Sequence, residues 1–353
     1  MKNEKINNFG IFTIILSLCN SAFYGAFSSY ILYKTKTDSF LSIIIGFIIS
    51  LFISKIIIHL FNKYPNKEFT KRNNNKKITS IIFVILSSFL YCLLALRLST
   101  FLSNQYLINT PNYLILLMIL FITYYTSSKG IETIFRVSII TFFISIFIFI
   151  FDFISLVPQI KLDNFYPLFY TSIKDILYTS ILFSIYFITP VIYLNAIKKN
   201  QIVNNNNFNK CYYLSLFISL IIILLNMFTT IGVSGIDINN LFDYPVYTTL
   251  KRIHLFSFLD SMENISIMLW MLFIINTCNI NLLFITNIIR ETFKIKNTII
   301  INLIIIVVCL LLSIFSFQNG FIESYDYIVI PAIASFILLF LLFILNIKDR
   351  LIK

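Results

Sequence analysis

The sequence predicts an all-α integral membrane protein with about ten transmembrane helices, and three observations carry that expectation. Ten strongly apolar stretches, each close to bilayer length, follow one another with almost no soluble sequence between them. Of the 353 residues, 58% are hydrophobic and only 12% are charged, and the mean hydropathy is +0.89. The basic residues gather in the short connections between the apolar stretches rather than in one patch. Hydrocarbon offers no partner to backbone N–H and C=O groups, so apolar runs of this length must satisfy them internally, as helices. A soluble chain of this composition would expose far too much apolar surface.

The spans fall at about 8–33, 39–62, 78–103, 111–127 and 133–156, then 174–196, 209–233, 257–288, 297–317 and 326–347. The fourth is short and the eighth long, which suggests tilt or an interfacial extension. The first run, about Gly10 to Leu32, is interrupted by polar and small residues and has no convincing cleavage pattern, so no cleavable signal peptide is expected. Asn204 to Asn207 reads as a flexible loop, and Gly235 to His254 is the longest connection on the opposite side. With the N-terminus inside, 18 of the 27 basic residues lie on the cytoplasmic side and six outside. The largest cluster runs from Lys63 to Lys77 after helix 2. The positive-inside rule therefore puts both termini in the cytoplasm.

Ten helices divide into five plus five. An odd number per half inverts the second half in the membrane, as in many secondary transporters. The expectation is one transmembrane domain over 1–353, with halves of about 8–156 and 174–347, and interrupted helices at corresponding positions. Helices 1 and 6 fit. Helix 1 carries Cys19-Asn20-Ser21-Ala22-Phe23-Tyr24-Gly25, where small and polar residues tolerate unwinding. Helix 6 carries Thr189-Pro190, and proline removes a helix hydrogen bond. Asn20, Ser21, Ala22, Gly25, Thr189 and Pro190 are therefore candidate substrate-binding positions; the alternative is that they merely aid helix packing.

Charges inside the spans need a reason. Lys55 fits a side chain snorkelling to the inner surface. Glu132 and Arg136, four residues apart at the start of helix 5, fit a structural ion pair. In the outer half, Arg97 on helix 3 lies at the same expected depth as Asp260 and Glu263 on helix 8, which Asn264 follows. Three readings fit: a brace between helices, a site for the zwitterionic end of an amino acid or an outer gate, and independent exposure to a vestibule. Arg97, Glu263 and Asn264 join the candidate binding residues on the second reading. Asp152, near the outer end of helix 5, belongs to the same vestibule or to the interface. Trp270 and most of the 39 phenylalanines read as lipid-facing or packing residues. The five cysteines show no CxxC and no ligand spacing, and His59 and His254 sit at opposite faces, so no metal or other cofactor is expected. No nucleotide-binding loop, triad or paired-carboxylate motif is present, which argues against an enzyme.

The order of local patterns is more specific. Helix 2 begins Thr37-Asp38-Ser39-Phe40-Leu41-Ser42 and ends Phe61-Asn62-Lys63-Tyr64-Pro65-Asn66-Lys67. Leu96-Arg97-Leu98-Ser99 and Lys129-Gly130-Ile131-Glu132-Thr133-Ile134-Phe135-Arg136 follow. Then come Asp243-Tyr244-Pro245 and Phe258-Leu259-Asp260-Ser261-Met262-Glu263. Over nearly the whole chain this series resembles the GerAB-type endospore germination permeases, the membrane B-subunits of spore germinant receptors, within the amino acid–polyamine–organocation transporter superfamily. The resemblance implies a transporter-like fold that senses small germinants, commonly amino acids, in the cell membrane or the spore inner membrane. It also implies A-type and lipoprotein C-type partner subunits, and a ligand pocket at the breaks in helices 1 and 6. By position, Arg97, Glu132, Arg136, Tyr244, Pro245 and Glu263 match the pattern. Helix 6 departs from it: many members carry a Phe-Gly-Glu-like segment where this chain has Phe187-Ile188-Thr189-Pro190, so recognition there has no carboxylate to draw on. The alternative function is an active secondary amino-acid transporter, which needs a coupling-ion site that helices 1 and 6 do not supply. A third reading is a scaffold that recruits partners without a ligand.

Overall fold

The computed structural model describes residues 5–63, 77–203, 207–236, 242, 244–252, 263–295, 297–318 and 326–351. Each apolar stretch forms a helix, as the need to close backbone hydrogen bonds away from water dictates. The first span is α1 (Asn8–Ala22), a π-helical turn (Phe23–Phe27) and α2 (Ser28–Thr35). The next four are α3 (Ser39–Lys63), α4 (Lys77–Gln105), α5 (Asn112–Ser128) and α6 (Ile131–Leu156). The sixth is α7 (Ile173–Ile188), which continues as a 3-10 helix (Thr189–Ala196). Then come α8 (Phe208–Ser234), the short α9 (Pro245–Leu250), α10 (Glu263–Phe293), α11 (Thr298–Gln318) and α12 (Asp326–Leu351). Among the described residues eight helical stretches are long and apolar enough to cross a membrane, and Asn8–Ala22 and Asn112–Ser128 are shorter apolar helices. The chain is an all-α multi-pass membrane protein. The short fourth span, at 17 residues, and the long eighth, at 31, match the expectation.

The packing separates a buried centre from a lipid-facing shell. In α1, every residue from Gly10 to Ser21 is buried. In α11, Ile300, Leu303, Ile304, Val307 and Leu311 are all exposed. Exposed apolar side chains in such numbers require hydrocarbon, not water, as their solvent. The most extensive helix pairs are α3 with α7, α4 with α10, and α1 with α8. In span numbers these are 2 with 6, 3 with 8, and 1 with 7. Exchanging the two sets of five maps the first pair onto the third and the second onto itself. Close approach explains one of these pairs: a Cβ on Gly46 of α3 would lie 2.5 Å from the Ser180 carbonyl oxygen of α7.

Buried hydroxyls close locally. Ser50, Ser54, Thr100, Ser215 and Ser219 each donate to a carbonyl three or four residues back, so they cost little in an apolar interior. Two clasps tie the connections down. Ile6 donates to the Gln201 carbonyl at 2.7 Å and accepts from Val203 at 2.9 Å, which fixes the N-terminal segment beside the connection that carries Lys198 and Lys199. At the other end of the helices, the Asp38 carboxylate accepts from the backbone N–H groups of Phe169, at 2.7 Å, and Thr171, at 2.9 Å. That staple locks the α6–α7 connection onto the turn between α2 and α3. Lys55 is exposed and lies 5.4 Å from the centroid of the Phe52 ring, at the lipid-facing surface.

Candidate functional site

Both expected helix breaks are present, and each has a local cause. In the first span, the Ser28 N–H bonds to the Phe23 carbonyl, a five-residue spacing that widens the helix through Phe23–Phe27. Such π turns lodge an extra residue in the helix and concentrate at functional sites. Gly25 lies within this turn; its surroundings fall outside the described residues. In the sixth span, the α-helical pattern ends with the Thr189 N–H bonding to the Ile185 carbonyl. Pro190 then has no N–H to give, and the chain tightens into a 3-10 helix of eight residues. Runs of that length are uncommon for 3-10 geometry.

The two breaks face a common cavity of about 60 Å³. Ala22 lines it from the first break, and Thr189, Pro190 and Tyr193 from the second. Leu90, Leu93, Leu94 and Arg97 of α4 form another wall, with Ile274 of α10 and Pro331 and Ser335 of α12. Arg97 is the one charged side chain among these residues. It is 9% exposed, and its guanidinium lies 4.6 Å from the centroid of the Tyr244 ring. A planar cation over an aromatic face recovers part of the cost of burial. Tyr244 belongs to a cluster with Phe101 and Trp270: centroids are 4.8 Å apart for Phe101–Tyr244 and 4.4 Å for Phe101–Trp270. The walls are otherwise apolar, so a solute here meets one fixed positive charge and a desolvated surround.

The structure thus brings Ala22, Arg97, Thr189 and Pro190 together around one space. Asn20 and Ser21 are fully buried, and their side chains donate back to Leu16 and Leu18 of their own helix; the side-chain oxygen Oδ1 of Asn20 has no hydrogen-bond partner among the described residues. Glu263 begins α10 and Asn264 follows it, but their side chains, and all of Asp260, lie outside the described residues, as does the expected meeting of Arg97 with either carboxylate. Glu132 and Arg136 form the expected i,i+4 ion pair, on an exposed face. Asp152 is buried and lines a different chamber from the one holding Arg97. Trp270 is buried in the aromatic cluster, a packing role.

The residues missed by the sequence reading lie on α10. Asn276, Thr277, Asn279 and Asn281 are all fully buried. Asn276 donates to Thr141 of α6 at 2.7 Å and to Ser17 of α1 at 3.2 Å. Asn279 accepts from Thr126 of α5 at 2.5 Å, and Asn281 donates to the Ser87 carbonyl of α4 at 3.2 Å. One helix therefore joins four others through amides, the polar glue that membrane interiors permit. The signal was visible: three asparagines within six residues of an apolar span are too costly to leave without partners.

A search of curated proteins matches none of them. A family model described as spore germination protein matches residues 5–322, from the N-terminal clasp through α11. A match over so much of the chain, on an all-helical membrane scaffold, shows that the chain belongs to the spore germination protein family.

Proposed function

We propose that this membrane protein binds a small germinant, an amino acid with a short side chain, in the cavity between the two helix breaks, and signals that binding to partner subunits. The observation that supports the reading is the cavity wall itself, in which both interrupted helices meet around the buried Arg97. A guanidinium fork suits a carboxylate, and apolar walls suit a short aliphatic side chain. The cavity of about 60 Å³ has room for roughly four to six water-sized groups, at about 10–15 Å³ each. Glycine and alanine have that many heavy atoms.

Binding shifts a helix arrangement only to the extent that the ligand prefers one arrangement over another. The breaks are where such a preference would act, because both frame the ligand and neither is held by a regular α-helical ladder. The readers of the shift would be A- and C-type receptor subunits. The clasp of Ile6 on the basic 198–203 connection supports placing the N-terminus on the cytoplasmic face.

Binding and uptake of a radiolabelled amino-acid panel in proteoliposomes, with and without a proton gradient, test the reading. Saturable binding of short amino acids without accumulation is expected, weakened at least tenfold by Arg97→Gln. Accumulation driven by the gradient would make the chain a transporter, and absence of any saturable binding would refute the site.

A further inference from the structure

Helices α4 and α10 form one of the most extensive contacts in the bundle, yet a groove of about 250 Å³ separates them where α4 begins and α10 ends. Its walls are Ser80, Ile81 and Val84 of α4 and Ile289, Thr292 and Phe293 of α10. Ser80 is buried while Ile81 and Phe293 are exposed, so the groove runs from the protein interior out to the lipid-facing surface. Two features mark what it takes. The Thr292 hydroxyl is buried and has no hydrogen-bond partner among the described residues. Helical threonines commonly donate to the carbonyl four residues back, as Thr286 does to Leu282 on the same helix. The second feature is charge. Lys77 stands three residues before Ser80 and four before Ile81, on the groove-facing stripe of α4 and one turn nearer the helix end. Arg290 stands three residues before Phe293, and Lys294 follows the last residue of α10. Against these three cations the same two stretches carry one carboxylate, Glu291.

We propose that this groove binds an anionic phospholipid, with an acyl chain between α4 and α10 and the phosphate among Lys77, Arg290 and Lys294. Apolar walls gain dispersion contacts from a chain that fills them, and an acyl chain is the filler a bilayer supplies. Basic pockets between membrane helices select anionic headgroups, and a guanidinium fork matches phosphate oxygens. The Thr292 hydroxyl, near the charged end of the groove, supplies a donor for the ester oxygens of the lipid. A zwitterionic lipid would bring a cation of its own to the basic rim and lose that advantage. A free anion such as phosphate would leave the apolar walls unused. Because α4 carries Arg97 and α10 carries the asparagine hub, a lipid seated between them would brace the helix pair that holds both. This site does not depend on what the Arg97 cavity binds.

Native mass spectrometry of the purified protein in detergent, which counts bound lipids one at a time, tests the proposal. Phosphatidylglycerol and phosphatidylcholine with identical acyl chains are titrated separately, with inorganic phosphate as a competitor. The first phosphatidylglycerol is expected to bind at least tenfold more tightly than phosphatidylcholine and to resist displacement by phosphate. Lys77→Gln combined with Arg290→Gln should weaken it at least tenfold. The charge-matched pair Lys129→Gln and Lys210→Gln, on exposed residues at the same end of the bundle, should leave it unchanged. Val84→Phe, which fills the groove without touching its charge, should also weaken it at least tenfold. Should that variant fail to fold, Thr292→Val, which keeps the shape and removes the hydroxyl, must weaken binding instead. Equal binding of the two lipids, displacement by phosphate, equal losses from the two charge pairs, or binding unaltered by the groove substitutions would overturn the proposal.

Discussion

Replacing Gly46 with alanine tests the packing that holds the second helix break in place. The new Cβ would lie 2.5 Å from the Ser180 carbonyl oxygen, 2.8 Å from Phe183 Cδ1 and 3.2 Å from Phe183 Cβ. Ordinary contact begins near 3.4 Å, so the shortest of these requires 3.4 − 2.5 = 0.9 Å of movement. The obstructing atom is helix backbone and cannot rotate aside, so α3 and α7 must separate along a shared face. Overpacking of this kind costs about 1–3 kcal/mol. Because the obstructing atom is backbone, the cost lies in the upper part of that range, about 2–3 kcal/mol; alanine returns about 1 kcal/mol of helix propensity, leaving a net loss of about 1–2 kcal/mol. Gly232 supplies an internal control. A Cβ there meets Ile160 Cγ2 at 2.8 Å and Phe165 Cζ at 3.2 Å, side-chain ends that can give way. Gly232→Ala should therefore stay within about 1 kcal/mol of the native protein. The assay is thermal stability in detergent, read by fluorescence-detected gel filtration. Each kcal/mol corresponds to roughly 2–4 °C for a chain of this order of size, so Gly46→Ala should melt several degrees lower. If it melts no lower than Gly232→Ala, the close approach of α3 and α7 is wrong.

Arg97→Lys keeps the charge but loses the planar face that lies over Tyr244; ligand binding should fall about tenfold with expression intact, measured in proteoliposomes. Asn276→Ala removes the donors to Ser17 and Thr141, and at about 1–2 kcal/mol for such interhelical bonds it should lower the melting temperature without altering monodispersity. At Asp38, burial opposes the charge, but donation from the backbone of Thr171 and Phe169 outweighs it and holds the carboxyl below the ordinary aspartate range. The sign follows: a depressed folded value means that its stabilisation is complete above the unfolded value and is lost as pH falls through the folded one. Asp38→Asn should therefore expose the 160–172 connection to limited proteolysis at neutral pH, and the difference from the native protein should shrink in strong acid. Arg136→Ala breaks an exposed pair, with Arg136 75% exposed, and should change stability by less than about 1 kcal/mol in the same melting assay.

The two breaks were legible because their chemistry is local. Pro190 lacks an N–H wherever it stands, and the Asn20-to-Gly25 stretch is weak helix in any context. The Glu132–Arg136 pair was legible for the same reason, since i,i+4 spacing fixes contact within one helix. Arg97 was recognised as a buried charge needing company, but the ring its guanidinium lies over, Tyr244, comes from a connection 147 residues further on, as 244 − 97 gives. Spacing along the chain says nothing about such a meeting. The α10 asparagines were overlooked because their hydrogen-bond partners lie on four other helices, and single-helix periodicity cannot show a hub.

Apolar length determines that this chain lies in a membrane as a series of helices, and local composition determines where those helices weaken, because lipid imposes those constraints on each segment separately. Which weakened turns share a cavity, that Arg97 and Asp152 fall in separate chambers on either side of the first break, and that Gly46 lets α3 close on α7 were decided only when the helices packed. Those facts depend on atoms distant in sequence excluding one another from the same space, which no single segment encodes.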